Sequence, residues 1–430
     1  MKLRTTHEKK EGVKGFFRSL SIGFFLAYRD VRKANIWTTL LIITVMVLTF
    51  LNLIVVSGIL VGLIQGSSDA NRQRYAGDVI VSTLPKKTYI ERSADTIRFI
   101  QSLPGVTAVS ARYIESGKIE ANYKNRTRLS DKVDQAGGLV VGIVPEDEIA
   151  VSQLNKYVIE GDFLEEGDSD EVLLGANLLF KYTPIDSPGI STLKNVEVGS
   201  KVRLIINGTS REVTIKGVIK SKVGENDQRI YMVASELRKI IGRNDYNVDE
   251  ISIRLVPGAD ASKITSALIS QGIDQTAKVQ TWEQSEPKFL KDIKATFAIL
   301  GNLIGSIGLA VASITIFIII FVNAITRRRF IGILKGIGIR SLAIEISYII
   351  QSLFYALCGI VLGSAIIFLF LKPYILAHPI NFPFSDGILV ATLSGTLLRA
   401  GILIVATLIA GYIPARLVVK QNTLDAILGR

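Results

Sequence analysis

Long apolar runs leave a chain few choices, because a hydrocarbon core about 30 Å thick is crossed by roughly 20 mostly apolar helical residues. Ile36 to Ile64 meets that requirement without one charged residue. Phe297 to Ile325, Leu342 to Leu371 and Ile388 to Ile413 repeat it in the C-terminal third. The first run follows a long basic stretch, exceeds the apolar segment of a signal peptide and lacks a clean small-x-small cleavage site, so it reads as a retained anchor.

Charge supplies the orientation. The chain has 50 Lys and Arg against 38 Asp and Glu, a formal net charge of +12. The segments before the first run, between the second and third, and after the fourth hold 17 basic and 4 acidic residues, leaving 33 and 34 elsewhere. Positive residues concentrate on the cytoplasmic side. Both termini are therefore expected in the cytoplasm, with the protein multi-pass in the cell (inner/cytoplasmic) membrane. The excess charge reports topology, and no nucleic-acid partner is implied.

The expected fold class is an α-helical membrane protein with four transmembrane helices, one plus three, and a large extracytoplasmic mixed α/β domain between helices 1 and 2. The boundaries read as follows. Residues 1–35 are an N-terminal segment with an amphipathic helix, 36–66 the first span and 67–290 the domain. Residues 291–325 are the second span, 326–341 a cytoplasmic connection and 342–372 the third span. Residues 373–387 form an outer loop, 388–413 the fourth span and 414–430 a cytoplasmic tail.

Within the domain, two β-α-β patterns flank an insertion. Val79–Val81, a helix capped at Ser93–Thr96 and a strand over Val106–Ile119 form the first. Ile251–Leu255, a helix over Asp260–Ser270 and a strand over Lys278–Trp282 form the second. These make one lobe, 72–125 with 245–285, around a strand-rich lobe, 138–242. Lys201–Ile206 and Arg211–Ile219 alternate with period two around Asn207-Gly208, a pair suited to a tight hairpin. Asn122–Gly137 and Tyr182–Asn195 read as mobile loops, and Asn125-Arg126-Thr127 is a weak glycosylation match.

Catalytic signals are thin. One cysteine, Cys358, excludes an intramolecular disulfide, and His7 and His378 lack ligand spacing, so no metal site is expected. Glu146-Asp147-Glu148 and Glu165-Glu166 read as solvated faces or helix N-terminal acids. Arg399, near the middle of the fourth run, is an intramembrane charge that calls for a partner, with Gln351 or Glu345 as candidates. Gly58/Gly62, Gly301/Gly305 and Gly359/Gly363 are spaced four apart and give small faces for close helix packing. The first two pairs suit either a contact across a dimer or one within the chain. Phe16, Phe17, Leu20, Phe24 and Ala27 suit a helix lying on the bilayer, with Arg18, Arg29 and Arg32 toward lipid phosphates.

Asn323 to Leu357, with its Arg327–Arg329 cluster and Ile331-Gly332-Ile333-Leu334-Lys335 core, resembles the FtsX-like or MacB-like permeases of ABC transporters. Ala27-Tyr28-Arg29-Asp30-Val31-Arg32, Glu171-Val172-Leu173-Leu174-Gly175 and Ile413-Pro414-Ala415-Arg416 with Leu424–Leu428 resemble further family elements in the same order. Gly336, Ile339 and Gln351 depart from the usual residues. The resemblance implies a separate cytoplasmic ATPase carrying ATP and Mg, a second permease copy, and movement of the outer domain by mechanotransmission. Neither cofactor is bound by this chain, which has no G-x-x-x-x-G-K-[ST] loop to hold nucleotide phosphates and so is not expected to be an enzyme. It implies that Arg327, Arg328, Arg329, Ile331, Ile333, Leu334, Lys335 and Ile337, with Arg29, meet the ATPase. A plain basic loop on anionic lipid is the competing reading of that segment. The implied substrate is hydrophobic, lipidated or peptide in nature, exported or extracted. The alternative is a signalling scaffold that activates a cell-wall hydrolase or other extracytoplasmic partner without transport.

Overall fold

Helix dominates both ends of the chain because the apolar runs there can satisfy every backbone group internally, the condition for crossing lipid. The computed structural model describes residues 3–124, 133–184, 191–378, 380–382, 385–387 and 389–420. Among them, four helices are long and apolar enough to cross a membrane. The chain divides into two compact units, residues 1–62 with 293–380 and 387–430, and residues 63–292 with 381–386.

The first unit opens with an N-terminal helix, Leu3–Lys33, longer at its start than the expected amphipathic piece. The first span helix covers Ile36–Asn71, the second Lys288–Thr326 and the third Ser341–Ala365, which runs on through a π turn at Ile366–Leu371. A short helix, Arg328–Gly336, joins the second to the third. The fourth helix spans Leu393–Val419, five residues later than expected at its start and six at its end. The reason lies at the start, where Val390 N–H donates to the Gly58 carbonyl instead of entering a helix. Thr392 then caps the helix through its hydroxyl on Gly395 N–H. Ile42, Met46, Phe50 and Ile54 of the first span, Ile316 and Ile320 of the second, Tyr348 and Tyr355 of the third and Leu403 of the fourth form the buried core.

The second unit is built on ten strands: β1 Val79–Thr83, β2 Val106–Glu120, β3 Gln135–Ile143, β4 Val158–Gly161, β5 Glu171–Gly175, β6 Lys201–Ile206, β7 Thr209–Ile219, β8 Arg229–Val233, β9 Glu250–Leu255 and β10 Ala277–Thr281. Their order is β10-β1-β9-β2-β3-β8-β5-β7-β4, with β6 against β2 and β7. β3 with β8 and β5 with β7 are parallel, and the other pairs antiparallel. The two expected lobes share one sheet. The N-terminal half of β2 pairs with β9, and its C-terminal half with β3 and β6, so a single 15-residue strand runs through both. The β6–β7 hairpin turns at Asn207 and Gly208, whose φ angles of 48° and 83° fit the tight turn.

Two local expectations change. Ser93 does not cap its helix. Its hydroxyl donates to the Ile90 carbonyl and accepts from Val248 N–H, while Arg92, in the left-handed region, takes the cap position. Glu148 is buried rather than solvated, whereas Glu146, Glu165 and Glu166 are exposed. The sequon at 125–127, the Leu424–Leu428 segment, the His7 side chain and the central parts of both expected loops lie outside the described residues.

Candidate coupling site

The short helix Arg328–Gly336 has apolar residues on two sides, and the structure separates them. Ile331, Gly332 and Leu334 are buried against the span core. Phe330, Ile333 and Ile337 are exposed, Ile337 at 71%, with Arg329 beside them. The four apolar residues expected to form one docking surface therefore divide two and two, with Phe330 added on the outside. The inner pair is a packing anchor and the outer trio a free face. Lys335 does not stand at the rim of that face, because its ammonium donates to the Val419 carbonyl at 3.0 Å, tying the short helix to the end of the fourth span helix.

At the start of the short helix, Arg327 reaches Asp30 of the N-terminal helix at 2.6 Å. The other Asp30 oxygen accepts from the Gln351 amide, which also donates to Ser347 on the third helix. Three elements thus meet at one carboxylate. Gly23 and Ala27 allow this approach: both are buried, and a Cβ on Gly23 would lie 2.7 Å from Ile346 Cγ2 and 2.9 Å from the Ala343 carbonyl oxygen. Arg29 points away from this clasp and is exposed.

Within the chain, the small residues lie against neighbouring segments. Gly359 and Gly363 take Met46 and Phe50 of the first span, where a Cβ would come within 2.5 and 2.7 Å. A Cβ on Gly301 or Gly305 of the second span would lie 3.3 Å from Leu60 and 3.6 Å from Leu53, respectively. Gly58 lies against Leu389 and Val390, and Gly62 is buried. Arg399 falls in the second turn of the fourth helix rather than mid-span. Its guanidinium donates to Gly395 of its own helix, and among the described residues it has no acidic partner. Gln351 is committed to Asp30, and Glu345 is half-buried without an ion pair among the described residues.

The second unit holds a charged cluster that the sequence reading missed. Arg112 on β2 is 1% exposed. It binds Glu148 through two nitrogens at 2.7 and 2.8 Å, Glu250 at 2.7 Å and the Tyr75 carbonyl at 2.9 Å. Tyr75 donates its hydroxyl to Glu250, and Ser110 and Ser152 donate theirs to Glu148. Burial alone would lower the Arg112 pKa, but the two carboxylates hold it well above its usual value. Burial would likewise raise both carboxyls, yet Glu148 is held below the usual range by Arg112, and Glu250 by Arg229 and Arg112. The cluster grips Arg72–Ala76, the π turn following the first span helix. Ser252 donates to the Tyr75 carbonyl, Arg254 to that of Gln73 and Asn226 to that of Arg74. Arg72 pairs with Asp78 and lies over Trp282 at 5.2 Å, while Trp282 N–H donates to the Asp78 carbonyl. Both ends of the domain are thereby fastened together. The sequence signal was Arg112 and Glu250 placed on strands otherwise apolar on the inner face, which periodicity alone does not single out.

Residues 302–423 match the FtsX-like permease C-terminal family, a stretch that holds the clasp residues Arg327 and Gln351 and the whole short helix. That stretch is similar to the C-terminal part of FtsX-like permeases. Among curated relatives it is 21% identical over 285 residues to the lipoprotein-releasing system transmembrane protein LolC of Neisseria meningitidis serogroup B, covering 62% of this chain and 63% of that one. It is 24% identical to the uncharacterized ABC transporter permease MJ1507 of Methanocaldococcus jannaschii, covering 63% and 65%. To the macrolide export ATP-binding/permease protein MacB of Haemophilus ducreyi it is 27% identical, covering 43% and 26%. The chain thus spans less than two thirds of the length of each of these relatives. The periplasmic region of MacB from Actinobacillus actinomycetemcomitans aligns with a TM-score of 0.32 and 14% identity, over 48% of this chain and 88% of that one.

Proposed function

We propose that this chain is the permease subunit of an ABC transporter of the cytoplasmic membrane. A separate cytoplasmic ATPase, carrying ATP and Mg, docks on the outer face of the short helix Arg328–Gly336, and a second permease copy completes the assembly. The observation that carries this reading is the exposed trio Phe330, Ile333 and Ile337, bordered by Arg329, on a helix whose other side is anchored by Ile331 and Leu334. Apolar anchors with a basic rim suit a protein groove better than bare lipid.

Movement of that helix passes directly into the second and third span helices, which it joins. The clasp at Asp30 carries it also to the N-terminal helix. The second span helix begins at Lys288, three residues after the last helical turn of the inserted domain, so a shift along it reaches that domain through the covalent chain. Both termini lie in the cytoplasm and the domain outside, as the distribution of Lys and Arg indicates. The similarity to LolC and MacB favours a hydrophobic, lipidated or peptide substrate, exported or extracted by mechanotransmission.

Gentle purification from native membranes, followed by mass spectrometry, tests the proposal. A stoichiometric ATP-binding-cassette ATPase is expected, with hydrolysis stimulated by substrate. A stable extracytoplasmic enzyme partner with no ATPase and no substrate dependence would replace transport with a signalling scaffold.

A further inference from the structure

The N-terminal helix has three faces, set by its 100° step per residue. Ser19, Gly23, Leu26 and Ala27 are buried against the first unit, with Asp30 on the same side. Phe17, Leu20, Phe24 and Tyr28 form an exposed aromatic sector next to it, with Phe17 and Phe24 each 63% exposed. Arg18, Arg29, Arg32 and Lys33 form the third sector, all exposed. Among the described residues none of these four has an acidic partner. The one carboxylate of the stretch, Asp30, is turned inward and neutralised by Arg327. Phe25, Tyr28, Arg29, Arg32 and Lys33 line a shallow surface hollow where the aromatic and basic sectors meet. Trp37, 75% exposed, follows at the start of the first span helix, where tryptophan marks a membrane interface.

We propose that this hollow binds the phosphate head group of an anionic phospholipid in the leaflet where the first span begins. Arg29 and Arg32 supply planar donor forks to the phosphate oxygens. Lys33 adds a point charge, the Phe25 and Tyr28 rings form the walls, and the acyl chains lie along Phe17, Leu20 and Phe24. An aromatic face beside a basic one, on a helix whose third side is fixed to protein, matches the geometry of an interface-lying helix. Free phosphate would use the basic sector alone and leave the aromatic face in water. The site shares no residue with the exposed trio Phe330, Ile333 and Ile337, and it assigns Arg29, which the family resemblance places at the ATPase, to lipid instead.

The test uses the full chain carrying Trp282→Phe, which leaves Trp37 as the sole tryptophan of the two in the sequence. It is reconstituted in phosphatidylcholine vesicles containing a minor share of either brominated phosphatidylglycerol or brominated phosphatidylcholine at equal mole fraction. Bromine quenches a neighbouring indole, so the ratio of quenching reads local lipid enrichment. Phosphatidylglycerol is expected to quench Trp37 more strongly, with roughly a fivefold enrichment for each basic residue near the anionic lipid. R29Q/R32Q/K33Q is expected to lower quenching to the phosphatidylcholine level, and R29K/R32K/K33R to keep the excess. Equal quenching by both lipids in the parent protein, or an excess that persists in the glutamine variant, overturns the site. An excess abolished by inorganic phosphate at constant ionic strength would assign it to free phosphate and also overturn it.

Discussion

Arg112 survives almost without exposure because two carboxylates and a backbone carbonyl surround its guanidinium. Removing one partner from such a pair costs about 3–5 kcal/mol, since the remaining charge is left buried and uncompensated. Glu148→Gln is therefore expected to lower the unfolding free energy of the purified full chain by about that amount. The sign of the pH dependence follows from the depressed Glu148 and Glu250 carboxyls. Their stabilisation is complete above the ordinary carboxyl value of 4.5 and is lost as pH falls through the lower folded-state values. Thermal unfolding between neutral and acidic pH should show this acid loss in the parent and a smaller one in E148Q. Identical acid profiles would remove Glu148 from the cluster's energetics. Glu148 also marks a limit of sequence reading. Glu146-Asp147-Glu148 looks uniformly solvated as a string, and only the helix Pro145–Ser152 turning its last acid toward β2 distinguishes it.

At the scale of elements, the short helix Arg328–Gly336 separates anchoring from recognition. Ile331→Ala is expected to destabilise the chain by about 2–4 kcal/mol through lost burial and a residual cavity. Ile333→Glu is expected to leave thermal unfolding unchanged while abolishing retention of the ATPase. A matched loss of stability in both variants would mean that the outer face is also packed. The clasp gives a second prediction. Asp30→Asn is expected to cost about 0.5–1 kcal/mol, because Arg327 is partly exposed and its charge is screened. A D30A/R327A double-mutant cycle, read by unfolding in detergent, should return a coupling of the same size. A coupling near zero would reduce the pair to a crystal-like surface contact. Apolar length made the spans legible, and the Asn207-Gly208 turn made one hairpin legible. The start of the fourth helix was not, because Val390 is as apolar as the residues after it. Its hydrogen bond to Gly58 is a tertiary contact that composition does not encode.

At the scale of the whole molecule, the first span packs against both the third and the second spans of the membrane unit. Gly359 and Gly363 bring the third helix against Met46 and Phe50, and Gly301 and Gly305 bring the second against Leu60 and Leu53. Gly359→Leu is expected to prevent that approach and to lower the yield of monodisperse protein in size-exclusion chromatography, whereas a leucine at Gly401, which has open space, should be tolerated. The spacing of these glycines was visible in the sequence. Their partners were not, since small-xxx-small patterns fit contacts within a chain and between copies equally well. The most direct measurement is photo-crosslinking in native membranes from a reactive amino acid placed at position 333, with position 331 as the control. An ABC ATPase adduct from 333 and none from 331 is the predicted result. Adducts from 333 to lipid alone, or equal ATPase adducts from both positions, would contradict docking on the exposed face of the short helix.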